Sequence, residues 1–134
     1  MAGRGNDGER IVLPEAGSPR PALAGVYVGE RWLFGVADTW AAIGYAALLY
    51  SVDVTCVVRA ETGGTFDPNV EGDGGHSFGA AQFYDRGMLW EFLAEYGVEN
   101  GGAYNPYYAL DKMARAIREG RGAQWTPILL GLCP

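Results

Sequence analysis

The stretch Arg59–Phe83, RAETGGTFDPNVEGDGGHSFGAAQF, decides how the rest of the chain is read. It begins at the end of an apolar helical run. Val54, Val57 and Val58 fall at i, i+3 and i+4 of a helix, and the i+7 position of that stripe is Glu61. A carboxylate therefore stands where the pattern asks for a core side chain. Burial disfavours the anion, and the negative end of the helix dipole acts in the same direction, so both raise its pKa. A carboxylic acid kept protonated near neutral pH is what a general acid requires. The alternative is a Glu at a frayed helix end, pointing into solvent. Gly63 and Gly64 end the helix, and Phe66-Asp67-Pro68-Asn69 is a turn by composition. Val70 to Phe78 reads as a small hairpin or compact loop around Gly72-Asp73-Gly74-Gly75, because Asp-Gly favours a tight turn. Gly79–Phe83 has room for a short helix.

Working outward toward the N-terminus, Ser51 or Asp53 is expected to cap the Glu61 helix. Before it, Asp38 is the expected cap of a helix from Thr39 to about Leu49, with Trp40, Ile43 and Ala47 inward and small residues allowing close packing. Val26-Tyr27-Val28 and Arg31–Phe34 flank Gly29-Glu30, which suggests a hairpin or a loop packed on the first helix. Residues 1–24 are polar and rich in Gly and Pro, and are expected to be a flexible arm before a domain of residues 25–134. Toward the C-terminus, Asp85 is a candidate cap for a helix whose stripe is Leu89, Phe92, Leu93 and Tyr96, ended by Gly97. Asn105-Pro106 is a strong helix start, followed by a stripe of Leu110, Met113, Ala114 and Ile117 and a stop at Gly120. The tail from Gln124 is expected to pack back as loop or short helix. The expected class is α+β, mostly α, with one small β element beside the acidic residue.

Composition sets limits. At 134 residues and 49% hydrophobic, the chain can bury one real core. A net charge of -6 with no clustered Lys or Arg argues against nucleic acid as a partner. No apolar run is long enough for a membrane span, so no integral membrane association is expected. The first ten residues, MAGRGNDGER, contain no apolar core of a signal peptide. Two cysteines, Cys56 and Cys133, lack metal-site spacing. They can bridge the Glu61 helix to the tail or remain free thiols. The acidic cluster Asp67, Glu71 and Asp73 lacks the spacing of a calcium loop, so neither metal nor cofactor is expected.

Glu61-Thr62, then Phe66-Asp67-Pro68-Asn69, then Gly79-Ala80-Ala81-Gln82 resembles the catalytic core of lysozyme-like lytic transglycosylases. That family reads Glu-Ser, a loop with Phe-x-Pro, and Gly-Leu-Met-Gln. The resemblance covers roughly residues 38–125 and includes the Asn105-Pro106 helix start. It implies a lysozyme-like fold with a small β-hairpin beside the cleft. It also implies cleavage of the β-1,4 bond between N-acetylmuramic acid and N-acetylglucosamine in peptidoglycan, giving a 1,6-anhydromuramoyl end. Glu61 takes the role of the single acid/base. Gln82 matches the Gln that lines the cleft, and Thr62 stands at the family's Ser with its hydroxyl kept. Ala80-Ala81 replaces the bulkier Leu-Met, which reshapes the cleft or lets a larger neighbour fill it. The family's late Ala-Tyr-Asn motif is missing. Ala103-Tyr104-Asn105 precedes the Pro106 helix, too early to be that motif, and Gln124–Pro127 occupies its region. A Trp followed by a late Cys is similar to the resuscitation-promoting factors, small lysozyme-like muralytic domains with a disulfide near the catalytic Glu, although those proteins place Cys directly before the Glu and Cys56 lies several residues before Glu61.

Hydrolytic lysozymes use a second carboxylate across the cleft. Asp73 is the best placed candidate, against the reading that Asp beside Gly is a turn residue. His76, the single histidine, sits with Ser77 near Gln82 and can bond a sugar N-acetyl group, or it decorates a loop. Tyr84 and Tyr104 can stack on sugar faces, or belong to the core. The expected function is thus a muralytic lytic transglycosylase, monomeric and acting on the cell wall from the extracellular or periplasmic side or by phage delivery. The alternatives are a hydrolytic lysozyme with Asp73 as second carboxylate, an enzyme on chitin-like glycans, and a non-catalytic glycan-binding or virion structural module.

Overall fold

The computed structural model describes Gly29 and residues 33–134. The expected arm, residues 1–24, and the strand Val26-Tyr27-Val28 lie outside the described residues. The first helix, α1 (Val36–Tyr50), starts earlier than the sequence suggests. Gly35 is its cap. Asp38 lies inside the first turn, where its Oδ2 accepts from the Gly35 N–H at 2.9 Å and its Oδ1 accepts from the Tyr107 hydroxyl at 2.8 Å. A carboxylate so placed favours the positive end of the helix. Thr39, Ala42, Ile43 and Ala46 are buried, whereas Trp40 and Ala47 are exposed, so the inward face is rotated from the expected one. The small residues let α1 lie close along α4 (Pro106–Arg118), its main packing partner. The Trp40 indole is too large for that seam and stacks on Phe66 instead, with ring centroids 4.2 Å apart.

Ser51 closes α1 in a left-handed conformation, φ 57°, and so does not cap the next helix. Asp53 is not the cap either, since Val54 holds that position without a side-chain bond; one residue earlier, Asp53 Oδ1 accepts from the Thr55 N–H at 2.9 Å and the Thr55 hydroxyl at 2.6 Å. Helix α2 (Thr55–Glu61) buries Val54, Val57 and Val58 completely or nearly so, and Glu61 is its last residue. Gly64 ends it at φ 86°, donating its N–H to Arg59 O at 2.7 Å, a left-handed turn that costs glycine little.

The β element is a three-stranded antiparallel sheet in the order β1 (Glu71–Gly72), β2 (Ser77–Phe78), β3 (Phe83–Tyr84). Glu71 pairs with Phe78, and Phe78 with Phe83. Gly79–Gln82 is the turn joining β2 to β3, where a short helix was expected. Gln82 at φ 50° closes it, donating its N–H to Gly79 O at 3.0 Å. Four residues between two paired strands leave no room for a helical turn with its own ladder. Asp85 does not cap a helix. It is buried, and α3 (Leu89–Tyr96) starts four residues later, with Leu89, Phe92 and Leu93 in the core and Gly97 as its end.

A kinked segment (Glu99–Tyr104), two 3₁₀ turns broken by positive φ at Asn100, Gly101 and Gly102, leads into α4, and Asn105 caps α4 as expected, its Oδ1 accepting from Tyr107 N–H at 2.9 Å and Tyr108 N–H at 3.3 Å. A further 3₁₀ turn (Gly122–Gln124) and the short α5 (Thr126–Leu129) carry the chain back over α2, where Cys133 is bonded to Cys56. The described chain is mostly helical with this small sheet, and one hydrophobic cluster runs from Ala42 to Cys133. No described helix is long and apolar enough to cross a membrane.

Candidate functional site

Three parts of the chain meet around an open cleft of about 320 Å³. The end of α2 contributes Glu61. The sheet contributes Asp73 from its first turn, Ser77 from β2, Gln82 from its second turn and Tyr84 from β3. The tail contributes Gln124, Trp125 and Thr126.

Glu61 owes its place to the valine stripe. Because Val54, Val57 and Val58 pin one face of α2 into the core, the last residue on that face reaches the cleft wall partly desolvated. Burial, and then the negative charge on Asp73, push its pKa from 4.5 up to about 7. The second contribution is thus a neighbouring carboxylate, where the sequence pointed to the helix end. Arg59 on the same helix is directed elsewhere, its guanidinium 5.5 Å from the centre of the Phe66 ring.

Asp73 sits at φ 53° and Gly74 at φ 68°, a left-handed pair spanned by a bond from Gly75 N–H to Gly72 O at 3.0 Å. That is the tight turn Asp-Gly favours. The Ser77 hydroxyl donates to Asp73 Oδ2 at 2.6 Å, fixing the carboxylate across the hairpin. Ser77 is itself buried, so its hydroxyl serves Asp73 rather than standing free for a ligand. Gln82 donates its amide to Gly79 O at 2.9 Å and to Val70 O at 3.1 Å, which directs its Oε1 onto Gly72. A Cβ on Gly72 would stand 2.3 Å from that oxygen, so only glycine leaves Gln82 its place there.

The remaining residues singled out in the sequence lie elsewhere. Thr62 is buried behind α2, where its hydroxyl donates to Val58 O at 2.8 Å and accepts from Phe66 N–H at 2.9 Å. It braces the loop after Glu61 and does not line the cleft. Tyr104 is a core residue, its ring edge-on to Phe78 and its hydroxyl bonded to Glu71. His76 is partly exposed beside the cleft, with Nδ1 2.8 Å from Asp85 Oδ2. Tyr84 is exposed and does line the cleft.

The tail wall was not foreseen. Trp125 is buried, donating its Nε1–H to Ala81 O at 2.8 Å, and this presents exposed Gln124 and Thr126 on either side. Ala80 and Ala81 are fully buried, so the small pair faces the core and Trp125 packs against it. The arrangement offers one proton donor near neutral pH, one nearby carboxylate, and amide, hydroxyl and aromatic groups around an open trough. Among the described residues no group of three or more His, Cys, Asp or Glu is arranged to hold a metal ion. Comparison with protein-family models, with curated proteins and with solved structures returns no match.

Proposed function

We propose that this chain is a lytic transglycosylase of lysozyme-like fold that cuts peptidoglycan at the β-1,4 bond between N-acetylmuramic acid and N-acetylglucosamine. The observation that carries the reading is Glu61, a carboxyl held protonated to about pH 7 on the wall of an open cleft. Its protonated form donates to the glycosidic oxygen as the bond to C1 breaks. The resulting Glu61 carboxylate takes the proton of the muramoyl C6 hydroxyl as that oxygen bonds to C1. The proton count closes on Glu61 alone, and the product is the 1,6-anhydro end. Gln82, Tyr84, Gln124 and Thr126 supply hydrogen bonds and a ring face along the trough. The resemblance of Glu61-Thr62, Phe66–Asn69 and Gly79–Gln82 to that family supports the same assignment, and the tie between Cys56 and Cys133 adds to the likeness with resuscitation-promoting factors.

One observation favours a second reading. Asp73 shares the cleft and acts electrostatically on Glu61. In a hydrolytic lysozyme such a carboxylate stabilises the developing cation or attacks it. Mass spectrometry of the soluble fragments separates the two. Transglycosylation leaves ends lighter by one water, and hydrolysis leaves reducing ends. The reading as a whole is tested by turbidity loss of purified cell walls with wild type against Glu61→Gln. Binding of wild type to the walls without release of fragments would instead point to a glycan-binding module.

A further inference from the structure

The turn that carries Asp73 has few ties to the rest of the protein. Asp73, Gly74 and Gly75 are three consecutive residues at positive φ, 53°, 68° and 93°. An aspartate there costs free energy that its surroundings must offset. The bonds from Gly75 N–H and His76 N–H to Gly72 O, and from Ser77 to Asp73, all stay inside the turn. Beyond the strand ladder, the hydrogen bonds that leave it run, among the described residues, from His76 to Asp85. His76 Nδ1 lies 2.8 Å from Asp85 Oδ2, and the Asp85 N–H donates to His76 O at 2.9 Å. Asp85 is a firm anchor. It is 2% exposed, and its carbonyl accepts from the Trp90 indole at 2.6 Å. His76, 44% exposed, is the movable partner.

We propose that His76, held by Asp85, is a positioning residue that sets where the Asp73 carboxylate stands relative to Glu61. With Nδ1 protonated, the imidazole donates to a buried carboxylate whose other oxygen, Oδ1, has no partner. That bond is strong because a buried carboxylate short of donors gains more from each one it has. Pulling on His76 pulls the last residue of the turn, and Ser77 next to it holds Asp73 directly. This inference rests on the cleft being the working site, but its first readout does not need glycan cleavage. Asp73 is the charge that acts on Glu61; Arg59, the nearest cation on the same helix, faces Phe66.

The experiment is a carboxyl-carbon NMR titration of Glu61 in the wild type, His76→Ala and His76→Asn, with thermal melts as a control for folding. Asn places an amide nitrogen where the imidazole has Nδ1 and retains the bond. In His76→Ala the Glu61 titration moves down from about 7 towards 4.5, stopping short because burial, the larger cause, is retained. In His76→Asn it returns to the wild-type position. In an Asp73→Asn background His76→Ala has no further effect, because the charge it displaces is already gone. Should His76→Ala not fold, His76→Gln carries the same expectation, its amide standing one methylene too far along. An unchanged Glu61 titration in the Ala or Gln variant, failure of Asn to restore it, or an equal shift in the Asp73→Asn background overturns the proposal. If the titrations behave as stated while the wild type leaves cell walls intact, the positioning role stands and the proposed function falls. If walls are cut but the titration does not move, the reverse holds.

Discussion

Two glutamates mark opposite ends of what this fold does with a carboxylate. Glu61 stands at the end of α2 with no hydrogen-bonded cation among its described contacts, and its pKa is pushed up to about 7 by burial and by Asp73. Glu91, on α3, accepts two bonds from the Arg121 guanidinium at 2.6 and 2.7 Å and one from Lys112 at 2.5 Å, and these hold its pKa down to about 2. Lys112 is 1% exposed and is also 2.7 Å from Glu95, which Arg115 contacts at 2.9 Å. The second region spends its charges on pairing, so nothing there is free to exchange a proton near neutral pH. The first leaves a carboxyl in a position that favours the neutral acid. That difference, in one residue type, separates a site that can do proton transfer from a network that holds helices together.

The largest expected effect is on the unpaired side. Glu61→Gln keeps the shape and removes the transferable proton, so wall-clearing activity falls by about 10²–10⁴-fold. Wild-type activity in that variant would break the contrast at its functional end. On the paired side, removing both acids in Glu91→Ala/Glu95→Ala strands the Lys112 ammonium in the core and costs about 3–5 kcal/mol of unfolding free energy. Lys112→Met costs little by comparison, because Glu91 retains Arg121 and Glu95 retains Arg115. Denaturant midpoints for the two variants check this, and equal losses would show that Lys112 packs rather than pairs.

The two regions also respond to pH in opposite senses. Glu91 is depressed on folding, so the stability it contributes is complete above its ordinary value of 4.5 and is lost as pH falls towards about 2. Glu61 is raised on folding. The folded state then binds more protons than the unfolded one between 4.5 and about 7, so stability falls as pH rises through that window. Glu61→Gln should therefore melt above the wild type at pH 7, with the gap closing as pH approaches 4.5. A gap that does not change with pH would mean Glu61 is not held neutral by the fold.

The valine stripe, the glycines after Glu61, the Asp-Gly turn and the Asn105-Pro106 start were legible because each is a local rule acting within a few residues. What failed was set by partners distant in sequence. The inward face of α1 turned on how closely α4 approaches, which excludes Trp40 and admits Ala42 and Ala46. Thr62 looked like a cleft hydroxyl, but one residue past Glu61 it is turned by about 100°, and its hydroxyl is taken up by Val58 O and by the Phe66 N–H of the loop that follows. The Gly79–Gln82 turn looked helical from composition, yet strand pairing on both sides took it. The tail wall of Gln124, Trp125 and Thr126 carried no local signal. Its place depends on the Trp125 bond to Ala81 and on the Cys56–Cys133 tie, which spans 77 residues of sequence.

The smallest expected effect falls on Asp73, and it sharpens what the unpaired region is for. In the transglycosylase reading Asp73 does no bond-making, and its charge only helps keep Glu61 protonated. Asp73→Asn then moves the high-pH limb of the activity profile downward. Near pH 7 the rate drops by up to about tenfold, one decade for each unit by which Glu61 titrates earlier. At pH values below the shifted limb, where Glu61 is protonated in both proteins, the two rates coincide. A carboxylate that stabilises or attacks the sugar cation behaves otherwise, since the neutral amide cannot replace it at any pH. A loss of about 10²-fold or more that persists on the acid side would therefore assign Asp73 to bond cleavage and make the enzyme a hydrolase. Coincident rates below the limb leave Glu61 as the one group through which the proton passes.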